Sequence, residues 1–244
     1  MSPDPVAAVP TDNVFDDVLF IVPAFNEAAN IASVIEDLMT IAPPGNIVVV
    51  NDGSKDNTAE IAGRYPIRVV DMPFNMGVSM ALRTGFQNAM VRGAKMAVQF
   101  DGDGQHVARE IERIVSPVAR GECDVAVGVR LADQKSTSTL PRMIGSAALR
   151  ILLRILTGSS YADPTSGFRA YSEDAIVRFV HHFPDDYPEV EGLVLAHKLH
   201  LRVREYPVQM RRRLGGRSSI TFLSSIYYMV KVALASIVIV LRRY

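Results

Sequence analysis

The stretch "VQFDGDGQH", residues 98–106, runs an apolar segment straight into two carboxylates, Asp101 and Asp103, spaced i, i+2 with glycines around them. Two acids so placed at the end of a strand can share one divalent cation, and oxygen-only ligands suit Mg²⁺ or Mn²⁺. A calcium-binding loop does not fit, because its fifth and sixth places need an acid and a glycine where this chain has Gln105 and His106. A phosphatase with Asp101 as nucleophile, and a plain solvated acidic turn, both stay open on this stretch alone.

These acids sit within a regular alternation. From Val18 onward, short β-branched runs alternate with longer segments of helical period: "VLFIVP" then 28–41, "NIVVVND" then 58–65, "IRVVDM" then 78–92, "KMAVQFD" then 108–120, and "DVAVGVR". Alternation of this kind predicts an α/β domain, a mostly parallel, Rossmann-like sheet with helices on both faces. Ligands of such sheets bind beyond the carboxyl ends of the strands. Three predicted strands end there in polar clusters: Asn26 with Glu27, Asn51 with Asp52, and Asp101 with Asp103. Neither of the glycine-rich phosphate-binding signatures, G-x-G-x-x-G or G-x-x-x-x-G-K-[ST], occurs anywhere. A diphosphate bound without such a loop needs a cation to neutralise it, and Asp101 and Asp103 are the ligands available for one.

At 244 residues and 48% hydrophobic side chains, the chain is long enough for one sizeable core. Its formal charge is zero but unevenly spread. Residues 1–60 hold ten acids against Lys55, whereas residues 200–244 hold nine Lys or Arg against Glu205. The basic end calls for an anionic partner, and with no nucleic-acid-binding signature present, phosphate groups of a lipid or small ligand fit better than nucleic acid. Cys123 is the sole cysteine, so an internal disulfide is excluded and a reducing compartment is expected. Residues 1–17 lack both the basic start and the apolar core of a signal peptide and read as a mobile arm. His181, His182, His197 and His200 read as structural.

Two apolar segments raise the question of a membrane. In 222–241, Lys231 interrupts the run at mid-helix, where a charge costs about 2.5–3.5 kcal/mol, and Ser224, Tyr228, Lys231, Ala235 and Arg242 fall on one helical stripe. That pattern predicts a C-terminal amphipathic helix over 220–244 lying in a membrane interface. The second segment, 143–158, carries Arg150 and Arg154 at i, i+4 on an otherwise apolar helix.

In order along the chain, "VPAFNEAANI", "VVNDGSKDNTAEIA", "NMGVSMALRTGF", "DGDGQH", "GVR", "DPTSGFRAY" and "RLGGRSS" resemble the motifs of family 2 glycosyltransferases with the GT-A fold. Within that family the chain is most similar to the dolichyl- or polyprenyl-phosphate sugar synthases. The resemblance covers about 18–219 and implies a GT-A domain over that span. By the family's motifs, Pro23, Phe25, Glu27 and Asp52 line the nucleotide of a UDP- or GDP-sugar. Asp101 belongs to the same site, and Asp101, Asp103 and Gln105 hold Mg²⁺ or Mn²⁺. Phe25 replaces the usual tyrosine, Asn51 an acid and Ser79 a frequent glycine.

The resemblance further implies inverting transfer of one sugar to a polyprenyl phosphate. Arg130, Arg142 and Ser146 match the positions that anchor the acceptor phosphate, and Arg213 matches the arginine set between donor and acceptor phosphates. Asp103, Arg130 and Arg213 are thus the expected catalytic groups. A phosphate acceptor is already mostly dianionic at neutral pH and needs cationic anchors rather than a base. A hydroxyl acceptor, the alternative, would need a carboxylate base, for which Glu191 in "YPEVEG" is the candidate. A non-catalytic nucleotide-sugar binder that serves a membrane partner is the alternative of another class. The expected setting is the cytoplasmic face of a membrane, held peripherally and in company with a small membrane-protein subunit.

Overall fold

A computed structural model of the chain describes residues 14–130, 140–184, 186–211 and 222–242; of these, the side chains of 140–144 and 222–229 are not described. Seven strands form one sheet: β1 (Val18–Ala24), β2 (Ile47–Asn51), β3 (Arg68–Asp71), β4 (Met96–Gln99), β5 (Val125–Arg130), β6 (Arg169–Ser172) and β7 (Val203–Val208). Their order is β3-β2-β1-β4-β6-β5-β7, and β6 runs antiparallel to both its neighbours while the other pairings are parallel. The five strands expected from the sequence are present. β6 and β7 are additional, and the antiparallel β6 separates β4 from β5.

Side-chain alternation along the strands builds two cores, one on each face of the sheet. Val18, Phe20 and Val22 of β1, with Ile47 and Val49 of β2, pack under α1 (Ile31–Met39) and α4 (Glu112–Ala119). Leu19, Ile21, Val48 and Val50 point the other way, into a core shared with α3 (Val78–Val91), α6 (Glu173–His182) and α7 (Pro188–Lys198). The short α2 (Thr58–Ala62) covers the β2–β3 end. The chain builds outward from β1 to β2 and β3, then returns through α3 to place β4 on the other side of β1. That reversal opens a crevice beyond the carboxyl ends of β1 and β4, where ligands of open α/β sheets bind.

Two further helices lie outside this layer: α5 (Leu140–Thr157), which packs on α7, and α8 (Phe222–Leu241), which packs on α7 and α5. No described helix is long and apolar enough to cross a membrane. Lys231 is drawn back onto the domain, 3.0 Å from the Asp186 carboxylate and over the Tyr187 ring.

Candidate active site

The chain leaving β1 and the chain leaving β2 are stitched together before either turns into its helix. Asn26 N–H donates to Ser54 Oγ (2.9 Å), Lys55 N–H to Asn26 Oδ1 (2.8 Å), Glu27 N–H to Thr58 Oγ1 (2.8 Å) and Ala28 N–H to Asp56 Oδ2 (3.1 Å). Asn26 adopts a left-handed backbone conformation (φ 56°) to make this clasp, which asparagine tolerates better than most residues. The result holds the exposed Phe25 ring at the rim of a cleft of about 310 Å³. Pro23, Phe25, Glu27, Asp52, Asp101 and Asp103 all line that cleft, together with Asn75, Gly77, Val78 and Glu189. A larger cavity, about 450 Å³, opens at the opposite end of the strands beside Asp16, Asp17, Lys95 and Ser172; it is remote from these acids.

Asp52 is buried, and its two carboxylate oxygens accept from Met76 N–H (2.7 Å) and Gly77 N–H (2.9 Å). Its first task is therefore to fix the segment entering α3, which forms the opposite wall. Asn51 donates to Asp71 Oδ1 (2.9 Å) and accepts from Ser54 N–H, joining β2 to β3. An amide suffices there, which accounts for the missing acid at that position.

Asp101 is oriented from three sides. Gln99 Nε2 donates to its Oδ1 (3.2 Å), the His106 ring lies 3.6 Å from its Oδ2, and the bare Cα of Gly167 closes over it. His106 Nδ1 accepts the Asp101 main-chain N–H at 3.0 Å, so the neutral ring carries its hydrogen on Nε2, toward the carboxylate. Burial depresses the His106 pKa and outweighs the opposing pull of Asp101 and Asp103. The ring also stacks on Phe168 at 4.6 Å. The turn 101–106 is thereby braced from within the core.

Asp103 accepts from Gln105 N–H (3.0 Å) and from the Gln105 side-chain amide. The Gln105 carbonyl oxygen accepts from Arg130 Nη2 at 2.7 Å. The side chain of Gln105, expected as a third metal ligand, links Asp103 to Arg130. Arg130 reaches the acid turn through that bridge and does not itself line the cleft. Ser146 is half-buried on α5, also outside the lining. The Arg142 side chain and all of Arg213 lie outside the described residues.

The structure places Glu191, the candidate base for a hydroxyl acceptor, at the start of α7 and inside the fold. It is 2% exposed, and its Oε1 accepts the Tyr187 N–H (2.9 Å) at the start of α7. A carboxylate one turn inside a helix that reaches back to the N–H at its start satisfies a terminal donor, and at 2% exposure it is turned away from the cleft. The acid that enters the cleft is Glu189, two residues earlier. Burial raises the Glu189 carboxyl above its ordinary range, and the Asp101 charge pushes it the same way. We expect Glu191→Ala to lower stability by about 2 kcal/mol, and Glu191→Gln, which keeps an acceptor oxygen, to retain most of the catalytic activity. Denaturant unfolding and turnover on the two variants check this; an inactive Glu191→Gln of normal stability would restore the base.

Sequence reading also passed over Arg169. It is 1% exposed, and its guanidinium donates to the carbonyls of Ser166 (2.9 Å), Pro164 (3.4 Å) and Glu189 (2.7 Å). One buried cation therefore ties the 164–168 loop to the segment bearing Glu189. Its signal was the arginine of "SGFRAY", a charge inside a strand-like run.

Among the described residues no group of three His, Cys, Asp or Glu converges to hold a metal unaided. Two carboxylates facing one cleft nevertheless fit Mg²⁺ or Mn²⁺, since such ions commonly take one or two protein carboxylates and complete their shell with water and substrate phosphate.

Comparison with known proteins agrees with this geometry. The model of the family described as Glycosyl transferase family 2 matches residues 19–179. An uncharacterized protein of Methanocaldococcus jannaschii is 34% identical over 198 residues, covering 80% of this chain and 81% of its own length. The UDP-N-acetylglucosamine–dolichyl-phosphate N-acetylglucosaminyltransferase of Methanococcus voltae is 29% identical over 213 residues, 79% of this chain and 84% of that one. The polyprenol monophosphomannose synthase of Mycolicibacterium smegmatis is 29% identical over 181 residues, 71% of this chain and 66% of that one. Among solved structures, glucosyl-3-phosphoglycerate synthase from Mycobacterium tuberculosis in complex with Mn²⁺, uridine diphosphate and phosphoglyceric acid superposes with a TM-score of 0.69 at 20% identity, over 91% of this chain and 77% of that one. At that identity the likeness is one of fold.

Proposed function

The chain belongs to glycosyl transferase family 2, and from that membership we propose that it moves a single sugar from a UDP- or GDP-sugar to a polyprenyl phosphate, with inversion at the anomeric carbon. The observation that carries this reading is the composition of the cleft. Among the described residues its lining includes five acidic side chains, Glu27, Asp52, Asp101, Asp103 and Glu189, and no Lys, Arg or His. A nucleotide diphosphate entering such a site meets repulsion on every side unless a cation comes with it. The complex of the structural neighbour with Mn²⁺ and uridine diphosphate supports the same choice here.

The chain's own groups divide the work. Phe25 offers a ring face and Pro23 an apolar wall to the base, while Glu27 lies beside them. Asp101 and Asp103 would hold Mg²⁺ or Mn²⁺, which supplies Lewis-acid stabilisation of the charge left on the departing diphosphate. A phosphate oxygen of the acceptor attacks the anomeric carbon from the face opposite the leaving group; the new bond to that oxygen forms as the bond to the diphosphate breaks. Arg130, held at the edge of the acid turn by Gln105, together with Arg142, Ser146 and Arg213, forms the acceptor-phosphate anchor. The dolichyl-phosphate and polyprenol names of two relatives support this acceptor class. The setting is peripheral, at the cytoplasmic membrane face.

The test is a lipid-extraction assay with the purified chain, a short polyprenyl phosphate in detergent and radiolabelled UDP- and GDP-sugars. Label is expected in the lipid phase with Mg²⁺ or Mn²⁺ and absent after chelation. Turnover only on hydroxyl acceptors would overturn the phosphate reading and point to Glu189, the acid in the cleft, as base.

A further inference from the structure

We infer that Asp37 and Arg211 form a positioning pair that holds the acid turn against Arg130 and so sets the spacing between donor and acceptor. Asp37 lies in the last turn of α1, and Arg211 follows just past β7. Arg211 Nη2 stands 3.1 Å from Asp37 Oδ2, and both partners reach on to the segment 101–108. The same Asp37 oxygen accepts the Ala108 N–H at 3.1 Å, while the Arg211 main-chain N–H donates to the Gln105 main-chain carbonyl at 2.7 Å. The turn that begins with Asp101 is thus held on its far side by two hydrogen bonds whose partners are joined to each other by charge.

Gln105 is where this hold meets the chemistry. Its side chain joins Asp103 to Arg130, and Arg130 Nε donates to Met210 Sδ at 3.4 Å, one residue before Arg211. Arg130 is therefore fixed at two points, Gln105 and Met210, and a shift of 209–211 displaces both. Gln209 continues the contact: its N–H donates to Glu110 Oε2 at 3.1 Å, and its Oε1 accepts from Arg109 Nη2 at 2.9 Å. Asp101 depends on none of these bonds, because Gln99, His106 and Gly167 orient it from the other side. Loss of the pair should leave cation and nucleotide in place and misplace Arg130, which appears as a loss of kcat at unchanged donor affinity. With Asp37 21% and Arg211 43% exposed, the pair adds little to the stability of the fold. The inference rests on the transfer reading in one respect, that Arg130 anchors the acceptor.

Arg211→Gln and Asp37→Asn, the second keeping an oxygen for Ala108, are each expected to lower kcat about fivefold, the upper end for a partly exposed ion pair. Thermal melts and the affinity for UDP with Mn²⁺, read by calorimetry, should stay unchanged, and Arg211→Lys, which keeps the charge, should recover most of the rate. In a Gln105→Ala background Arg211→Gln should cost less than about twofold more, because the link it acts through is gone. Hydrogen exchange on the chain without substrates supplies a reading independent of transfer: over 101–111 it should quicken about fivefold in Arg211→Gln. Unchanged exchange would overturn the hold on the turn whatever the chain transfers. Faster exchange at full kcat, a rate loss matched by weaker UDP binding or a lower melt, or the whole loss persisting in Gln105→Ala would each overturn the positioning role. A wild-type chain inert on polyprenyl phosphate, with exchange quickened in the variant as expected, would overturn the transfer reading and Arg130 as the target while the hold on the turn stood.

Discussion

Asp101→Asn is expected to lower sugar transfer about 1,000-fold, the upper end for removing one group that stabilises charge in a transition state. The fold should hold. Asparagine keeps the volume of the side chain and one carbonyl oxygen to accept from Gln99, so the melting temperature should stay within about 3 °C, corresponding to about 1 kcal/mol. The variant also separates two explanations of the acid-lined cleft by sign. If the carboxylates merely repelled a diphosphate, removing one would tighten donor binding. If they serve through a cation, removing one must loosen it. Calorimetric titration of UDP with Mn²⁺ present, beside kcat and KM, reads the difference directly; tighter UDP binding by the variant would sink the cation reading.

How far the site was legible in the sequence follows from which contacts are local. Asp101 and Asp103 stand at the end of an apolar run, and Phe25, Glu27 and Asp52 follow two others. In a parallel sheet those ends share one edge, so the convergence of the three clusters could be read without coordinates. Glu189 and Arg169 belong to the part that could not. Their approach to Asp101 depends on β6 entering the sheet antiparallel between β4 and β5, and its four residues "RAYS" begin with a charge that ordinarily argues against a central strand. The charge is tolerated because three carbonyl oxygens surround it. β7 hid for another reason: "VREYPV" contains a proline and two charges, a composition that suits an edge strand and gives a weak strand signal. Helix phase sets Glu191 apart from Glu189. Pro188 opens α7, and four residues separate Glu191 from Tyr187, so the later acid turns back onto the helix start while the earlier one turns to the cleft.

The same local crowding gives the second large effect. A methyl group on Gly167 would sit 2.6 Å from Asp101 Oδ2, 3.0 Å from Oδ1 and 2.8 Å from Gln99 Nε2, closer than real side-chain carbons approach their neighbours. One side must move, and the loop is the stiffer. Arg169 holds the Ser166 and Pro164 carbonyls just before Gly167, Ser166 Oγ donates to Gly128 O at 2.6 Å, and Gly128 N–H donates to Phe168 O at 2.8 Å. The carboxylate, partly solvated and ending a single rotatable side chain, is the group that yields. Gly167→Ala is therefore expected to lower kcat/KM about 100-fold, in line with the loss that a misplacement of about 1 Å brings at a reacting centre, and to cost about 1–3 kcal/mol of stability by overpacking. Gly45→Ala is the control, since nothing lies within 4 Å of a methyl group there. Mn²⁺ affinity measured by electron paramagnetic resonance should fall with activity in Gly167→Ala and stay unchanged in Gly45→Ala. If Gly167→Ala lost activity at full Mn²⁺ affinity, the crowding would act on the sugar or the acceptor and not through Asp101. Were activity held within threefold, the orientation of Asp101 would not limit the reaction, and the convergence of Gln99, His106 and Gly167 on that carboxylate would serve the fold alone.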